Sequence, residues 1–237
     1  MGSYRGPQIV TNGLVLYLDA ANPKSYTGTD IWLDRSGGTS SGLLVNGPSF
    51  SSTNKGSIVF DGVNDYVNVS SPNFNPVGNS DFSVSCWLKL NSLPLTNPRI
   101  VCQSVNVNNF YNLATYGGNS PGTYDSFWFE VKKEGVYYGT GFSANKYVTN
   151  VWYNLVGTFN NTTNTSVFYV NSILRGGSGV NAISEAFPYG PIIIANNNTS
   201  TINSLPGNIA LVKIYNRVLS ATEIVKNYNA LKSRFNL

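Results

Sequence analysis

The chain has 237 residues, of which 11% are charged and 13% are aromatic, and its formal net charge is +4. Because the charged fraction is less than half of the usual quarter or so, the polar surface depends on Asn, Ser, Thr and Gly, which suit turns and strand faces. The basic residues are scattered and form no stripe of the kind that binds nucleic acid, so no nucleic-acid partner is expected. The lack of histidine excludes His-based triads, His metal sites and the commonest general base.

The chain has neither a secretory pattern nor a membrane-spanning pattern. The first residues, MGSYRGPQIVTNG, lack a basic region followed by an apolar stretch and a small-residue cleavage site. No apolar run approaches the ~18 residues of a membrane span, so no membrane insertion is expected. The two cysteines, Cys86 and Cys102, are too few for a disulfide framework, and a buried free thiol is favoured over a disulfide. We expect a protein made in the cytoplasm of a prokaryotic host, with export in a particle left open.

Alternation of apolar and polar residues with a period of two runs along the chain and predicts strands. In FSVSCWLKL, the residues Phe82, Val84, Cys86 and Leu88 share one face, which we expect to lie in the core. Core positions are also predicted at Phe159 and at Ile209 or Leu211. Strands are further predicted within residues 14–19, 57–69, 100–105, 127–132, 153–159, 167–170, 191–196 and 208–215. Strands at this density, joined by Gly, Asn and Pro clusters, are typical of a sandwich or barrel.

One helix is predicted at the C-terminus, over residues 220–235. Ser220 is the expected N-cap and Glu223, three residues later, completes a capping box. The following apolar residues recur at helical spacing and form one stripe: Ile224, Tyr228, Leu231 and Phe235. We expect this stripe to pack against the sandwich.

Three stretches together resemble the concanavalin A-like lectin/glucanase superfamily, specifically its laminin G-like branch. They are GLVLYLDAANPKSY with SIVFDGVNDYVNV, then FSVSCWLKL with WYNLVGTFNNTTNTSVFYVNSIL, and finally LPGNIALVKIYNRVLSATEIVKNYNALKSRF. The resemblance covers nearly the whole chain and implies an all-β, concanavalin A-like jelly-roll sandwich of two antiparallel sheets with one C-terminal helix. Residues 1–237 are therefore expected to form a single domain, with residues 1–12 as an N-terminal arm.

The stretches LVLYLDAANPKSY and LSATEIVKNYNALKSRF are similar to laminin G-like proteins of tailed bacteriophages that infect marine and cyanobacterial hosts. This resemblance implies a virion structural protein: a capsid decoration, fibre or tail-associated subunit with weak adhesion to host-surface glycans. Its expected partners are other virion proteins and such glycans. Homo-oligomerisation or attachment to a symmetric particle is also expected, because a virion presents repeated identical sites. The alternative is a bacterial carbohydrate-binding, lectin-like module.

Hydrolytic activity is not expected. Glycoside hydrolysis needs two carboxylates across a cleft, and the glucanases of this superfamily carry them as Glu-x-Asp-x-(x)-Glu on one strand. In this chain Glu130 and Glu134 flank two lysines without an intervening Asp, and Glu223 is assigned to the helix cap. We therefore predict that the protein is not an enzyme and requires no cofactor.

A group of aromatic and Asn residues between two predicted core strands provides the candidate glycan-binding residues. Aromatic faces can contact sugar rings, and Asn amides can bond hydroxyl groups. The alternative is that these aromatics are core residues or sheet-face pairs. The candidates are Asn109, Tyr111, Tyr116, Tyr124, Trp128 and Tyr138.

The segment SIVFDGVNDYVNV places Asp61 and Asp65 four residues apart in a tight loop. Calcium, which many laminin G-like domains bind, takes six to eight oxygen ligands. The two carboxylates could supply some of them, with Asp19 and Asn22 as further ligands. The alternative is a turn in which Asp61 bonds nearby backbone amides while Asp65 caps the next strand.

Overall fold

The computed structural model describes residues 8–70, 80–94, 97–106, 109–116, 126–133, 136–138, 147–179, 190–196 and 204–237. Two antiparallel sheets pack face to face, and one helix follows the last strand. The all-β, two-sheet fold with a C-terminal helix is therefore confirmed.

The described part of the chain contains sixteen strands. They are β1 (Leu14–Asp19), β2 (Ile31–Trp32), β3 (Gly42–Val45), β4 (Ser49–Ser51), β5 (Ser57–Asp61), β6 (Tyr66–Val69), β7 (Phe82–Leu90), β8 (Arg99–Asn106), β9 (Asn109–Tyr116), β10 (Ser126–Lys133), β11 (Val136–Tyr138), β12 (Trp152–Asn160), β13 (Thr165–Val170), β14 (Ile173–Gly179), β15 (Ile192–Ile194) and β16 (Pro206–Tyr215).

The strands divide into two eight-stranded sheets. Sheet I has the order β14-β13-β12-β7-β16-β5-β4, and β1 pairs with the second half of β16 beside β5. Sheet II has the order β11-β10-β9-β8-β15-β6-β3-β2. Neighbours in space are often far apart in sequence, as expected of a jelly roll.

The core lies between the sheets and follows the alternation of the strands. Phe82, Val84, Cys86 and Leu88 are buried on the inner face of β7, as predicted. The Phe82 ring lies 5.7 Å from the ring of Phe159, another predicted core residue. The intervening Trp87 faces the opposite way, towards the C-terminal helix.

A register shift in β16 decides between the two core positions left open by the sequence. The pairing of β16 with β7 is irregular between Ile209 and Leu211. Ile209 belongs to the core between the sheets, whereas Leu211 packs on the helix side of sheet I. A β-bulge inserts one residue and so moves the following side chains to the other face.

Helix α1 (Ala221–Leu231) covers the outer face of sheet I and continues as a 3-10 turn, Lys232–Phe235. Ser220 is its N-cap, and both hydrogen bonds of the predicted capping box with Glu223 are present. The Phe235 ring stacks on Trp87 with 4.2 Å between centroids, so the end of the predicted stripe anchors the segment to the sheet. No helix in the described ranges has the length and apolar character to cross a membrane.

Both cysteines are free and buried, as favoured from the sequence. Burial raises the pKa of Cys102 to about 12, and burial also raises the pKa of Cys86. Both thiols therefore remain protonated near neutral pH.

Candidate functional site

The outer face of sheet II carries a row of polar residues across three adjacent strands. Cys102 of β8 pairs with Asn112 of β9, which pairs with Glu130 of β10. Their chain neighbours Val101, Leu113 and Phe129 point into the core, so alternation directs the polar row outwards. Each member of this polar row is nevertheless at most 3% exposed.

Glu130 is the centre of this row. Asn112 Nδ2 donates a hydrogen bond of 2.7 Å to Glu130 Oε1, and Arg99 Nη1 lies 3.7 Å from the same oxygen. Burial raises the pKa of Glu130, while the Asn112 hydrogen bond and the positive charges of Arg99 and Lys132 act in the opposite direction. Both the Asn112 and the Arg99 contacts are made by Oε1 of the carboxylate.

Aromatic residues flank Glu130 on the same face. Trp128 and Lys132 lie two positions before and after Glu130 on β10, which places them on the same side of the sheet. The Lys132 ammonium lies 4.7 Å from the ring centroid of Tyr137 and 5.9 Å from that of Phe110. Tyr137 is 54% exposed, and the strand rise places Lys132 about 13 Å from Trp128 along β10.

We call this set of residues the outer-face site. It combines a buried carboxylate and amide at its centre with aromatic rings at both ends. Aromatic rings can pack on the apolar faces of sugar rings, and the central oxygen and nitrogen atoms can bond hydroxyl groups. Its members are Arg99, Phe110, Asn112, Trp128, Glu130, Lys132 and Tyr137.

Among the predicted glycan-binding residues, Trp128 lies in this site. Tyr111 is instead a core residue: it is fully buried, and its ring lies 5.1 Å from that of Phe82. This corrects its assignment, because a ring enclosed between the sheets offers no face to a ligand. For Asn109, Tyr116 and Tyr138 only the strand is described, and Tyr124 lies outside the described residues.

Sequence reasoning considered Glu130 only as a catalytic acid and did not select Arg99 or Phe110. The alternation of Trp128, Glu130 and Lys132 indicated that they share a face. Their neighbours on β8 and β9 depend on the register between strands, which the alternation does not reveal.

The predicted metal ligands Asp61 and Asp65 form a hydrogen-bonded turn. Val63 N donates to Asp61 Oδ1 at 2.7 Å, and Asp61 N donates to Asp65 Oδ2 at 3.0 Å. Gly62 has φ +83°, a value that glycine adopts without strain. Burial raises the pKa of Asp65. This geometry corresponds to the turn that the sequence left as the alternative to a metal site.

Asp19 does not join this pair. Its Oδ1 accepts a hydrogen bond of 2.8 Å from Arg234, and its backbone neighbour Ala20 lies against Gly56 at the start of β5. Asp61 is five residues further along β5, or about 16 Å at the usual strand rise. Asn22 Oδ1 instead accepts a hydrogen bond from the backbone N of Lys24, two residues further along the chain. No group of three or more acidic or Cys side chains that could hold a metal occurs in the described parts of the chain.

Residues 61–225 match the laminin G-like family described as the concanavalin A-like lectin/glucanases superfamily. Because the match covers more than half of the sequence, the chain belongs to this family and has its lectin-like fold. No curated protein matches the chain.

Several solved structures share this fold. A Trypanosoma rangeli sialidase in complex with sialic acid has a TM-score of 0.68 and 14% identity, over 94% of this chain and 33% of that one. The binding domain of Paraclostridial Mosquitocidal Protein 1 has a TM-score of 0.72 and 16% identity, over 93% and 52%. Domain 4 of AbnA, an extracellular arabinanase of Geobacillus stearothermophilus in complex with arabinotriose, has a TM-score of 0.67 and 16% identity, over 91% and 98%. The chain therefore spans about a third of the length of the sialidase and about half of the length of the mosquitocidal binding domain.

Proposed function

We propose that the chain is a non-enzymatic, lectin-like glycan-binding domain that holds its ligand at the outer-face site. The observation that carries this proposal is the buried pair of Glu130 and Asn112, placed between Trp128 and Tyr137 on one sheet face. A carboxylate can accept several hydrogen bonds, so Glu130 can take a donor from a ligand besides the one from Asn112. A sugar hydroxyl supplies such a donor, while the rings at both ends contact the apolar faces of the sugar.

The charged groups around Glu130 favour a site that binds a glycan over a site that hydrolyses one. Glycosidases need a second carboxyl group about 5 to 9.5 Å from the first. The described groups that act on the pKa of Glu130 are Asn112, Arg99 and Lys132, and none of them is an acid. Burial raises the pKa of Glu130, and Asn112 and Arg99 act against this rise by favouring the charged form, in which both oxygens accept hydrogen bonds.

For the biological setting we propose a phage virion, in which the protein is a decoration, fibre or tail-associated subunit that adheres weakly to host-surface glycans. The similarity of its first strand and last helix to phage-encoded laminin G-like proteins supports this setting. Exposed apolar residues at both sheet edges are available for contacts with neighbouring virion subunits or with further copies of the chain. Examples are Ile31 and Leu43 on the last two strands of sheet II, and Ile173 and Leu174 on the edge strand β14 of sheet I. The alternative setting is a bacterial carbohydrate-binding module.

A glycan array tests the binding proposal. The wild-type chain is expected to bind a subset of glycans, Trp128→Ala to lose at least about tenfold in affinity, and Glu130→Gln to be weakened less, because Gln keeps one oxygen acceptor. Phe50→Ala is the matched control, since Phe50 is an exposed aromatic on β4 of the other sheet. If Trp128→Ala and Phe50→Ala lose glycan affinity equally while their circular dichroism is unchanged, the ligand does not bind at the outer-face site. A wild-type chain that binds no glycan would contradict the function.

Mass spectrometry of purified virions tests the setting. The chain is expected among the particle proteins. Its absence from particles, together with a gene position among secreted polysaccharide-degrading enzymes, would favour the bacterial module instead.

A further inference from the structure

A cavity of about 410 Å³ opens on the helix side of sheet I, on the opposite face of the sandwich from the outer-face site. Gln8, Ile9 and Thr11 of the segment before β1 form one wall. Leu14 and Tyr17 of β1 form the floor. The volume lies within the range of about 300–1,000 Å³ that is usual for small-molecule sites.

The remaining walls come from two other parts of the chain. Arg35 and Ser36, in the loop after β2, lie on one side, and Ala230 and Leu231 of α1 lie on the other. Three separate segments therefore meet around one cavity.

Hydrogen bonds hold the first wall in place. Val10 N donates to Asn227 Oδ1 at 2.7 Å, and Tyr215 Oη donates to the carbonyl oxygen of Val10 at 3.0 Å. Asn227 Nδ2 in turn donates to Tyr215 Oη at 3.1 Å. These bonds fix the segment before β1 against α1 and β16.

The loop is held just as firmly. Arg35 N donates to the carbonyl oxygen of Tyr17 at 2.8 Å, and Tyr17 N donates to Asp34 Oδ1 at 2.8 Å. With both walls anchored, the cavity is formed before any ligand arrives, which lowers the free-energy cost of binding.

Arg35 is the cavity's charged group. Its guanidinium is exposed and makes no hydrogen bond or ion pair with any described residue, and no carboxylate lines the cavity. Tyr17 Oη donates to Asp19 Oδ2 at 3.1 Å, so Tyr17 offers its ring to the cavity. The site therefore joins a cation with five N–H donors to a largely apolar floor and helix wall.

The oxygens of the two nearby acids are bound by groups other than the Arg35 side chain. Asp34 already accepts hydrogen bonds from the backbone of Tyr17 and from the backbone and hydroxyl of Ser36. Asp19 is paired with Arg234. The buried Lys213 lies beside Tyr17 in the strand register, and because burial lowers its pKa to about 7, it carries only part of a positive charge at neutral pH.

The C-terminal end of α1 carries a partial negative charge that acts against an anion. The 3-10 turn that continues the helix brings Lys232 to this end, and this cation offsets the effect. The balance of charge around the cavity is positive.

We propose that this cavity binds a small organic anion in which a carboxylate is attached to an apolar body. The carboxylate pairs with the Arg35 guanidinium in the two-bond geometry that Arg and carboxylates favour. The apolar body lies against Leu14, Tyr17 and Leu231. This site is independent of the glycan-binding proposal, because it uses the other sheet and no residue of the outer-face site.

Calorimetric titration of the full chain with octanoate tests the proposal, with 1-octanol as the uncharged probe of the same length. Octanoate is expected to bind the wild type, and Arg35→Gln is expected to weaken it by about tenfold or more while binding of 1-octanol is unchanged. Ala230→Trp, which fills the cavity from the helix, is expected to abolish binding of both probes. Lys226→Gln is the control, because Lys226 is exposed on the same helix outside the cavity.

Three results would overturn the proposal. The first is that the wild type does not bind octanoate at millimolar concentration. The second is that Arg35→Gln binds octanoate as tightly as the wild type does. The third is that Ala230→Trp binds both probes as the wild type does. Circular dichroism of each variant separates loss of binding from loss of fold, and Arg35 is exposed, so its substitution leaves the core intact.

Discussion

Arg234 Nη1 lies 2.8 Å from Asp19 Oδ1 and joins two residues 215 positions apart in the sequence. Their side chains are only 7% and 10% exposed. The same guanidinium donates to the carbonyl oxygens of Asn54 and Gly56, at 2.8 Å and 2.6 Å. One arginine therefore ties the end of the chain to β1 and to the start of β5.

Replacing Arg234 with Met is expected to lower the free energy of unfolding by about 3–5 kcal/mol, because Asp19 would remain as a buried charge without its cation. Urea denaturation measures this change. The control is Lys226→Met on the exposed face of α1, which is expected to stay within about 0.5 kcal/mol of the wild type. Similar small changes in both variants would show that the Arg234 pair does not hold the C-terminal segment in place.

The sequence predicted the features that depend on local patterns. Alternation in FSVSCWLKL placed Phe82 and Leu88 correctly in the core, and the spacing of Ser220 and Glu223 predicted the capping box. These patterns are reliable because a side chain's face follows from its position in one strand or one turn.

The features that the sequence did not reveal depend on distant segments. The ion pair of Asp19 with Arg234 links the two ends of the chain, so Asp19 was assigned to a calcium site with Asp61 instead. The bulge that separates Ile209 from Leu211 and the strand register that brings Asn112 to Glu130 likewise arise from sheet pairing. Tyr111 was misassigned for a related reason, since alternation identifies two faces but not which of them is inside.

Lys213 is a buried lysine with a marked effect on pH dependence. It is 1% exposed, and burial lowers its pKa to about 7, while Asp19 acts in the opposite direction. An unfolded chain keeps this lysine protonated up to pH ~10.4. Above pH 7 the unfolded state therefore binds more protons at this site than the native state does, so the site makes stability rise with pH, by up to ~1.4 kcal/mol per pH unit.

Lys213→Met is expected to raise the free energy of unfolding at pH 7 and to remove this contribution, so the gap between variant and wild type should narrow as the pH increases. The comparison is best made by urea unfolding between pH 7 and 8.5. At higher pH the buried thiols lower stability, because their native pKa values lie above those of the unfolded chain. A constant difference between the two proteins over this window would contradict a lowered pKa for Lys213.

Gly157 marks a close approach of the two sheets. A Cβ atom at this position in β12 would lie 2.3 Å from Cδ2 of Phe129 in β10. Gly157→Ala is therefore expected to lower the free energy of unfolding by about 1–3 kcal/mol through overpacking.

The control for Gly157→Ala is a double-mutant cycle. Phe129→Ala removes Cγ, Cδ2 and Cε2, the three atoms nearest to the added Cβ, so the alanine at position 157 should cost less in that background than in the wild type. Additive losses in thermal or urea unfolding would mean that Phe129 is not the obstructing group.

The last prediction concerns the DGVND turn. Asp65 is 3% exposed, and its Oδ2 is the acceptor for Asp61 N, so Asp65→Ala leaves that backbone group without its partner. We expect a loss of about 1–3 kcal/mol in Asp65→Ala, and a much smaller loss in Asp65→Asn, which keeps an oxygen acceptor. Thermal unfolding of both variants and the wild type, each in millimolar Ca²⁺ and in excess chelator, distinguishes this turn from a metal site. If DGVND is only a turn, the three proteins should have the same order of unfolding midpoints in Ca²⁺ as in chelator. A wild-type midpoint that rises with Ca²⁺ and loses this rise in Asp65→Asn would instead show a bound ion, because a ligand of the folded state must stabilise it.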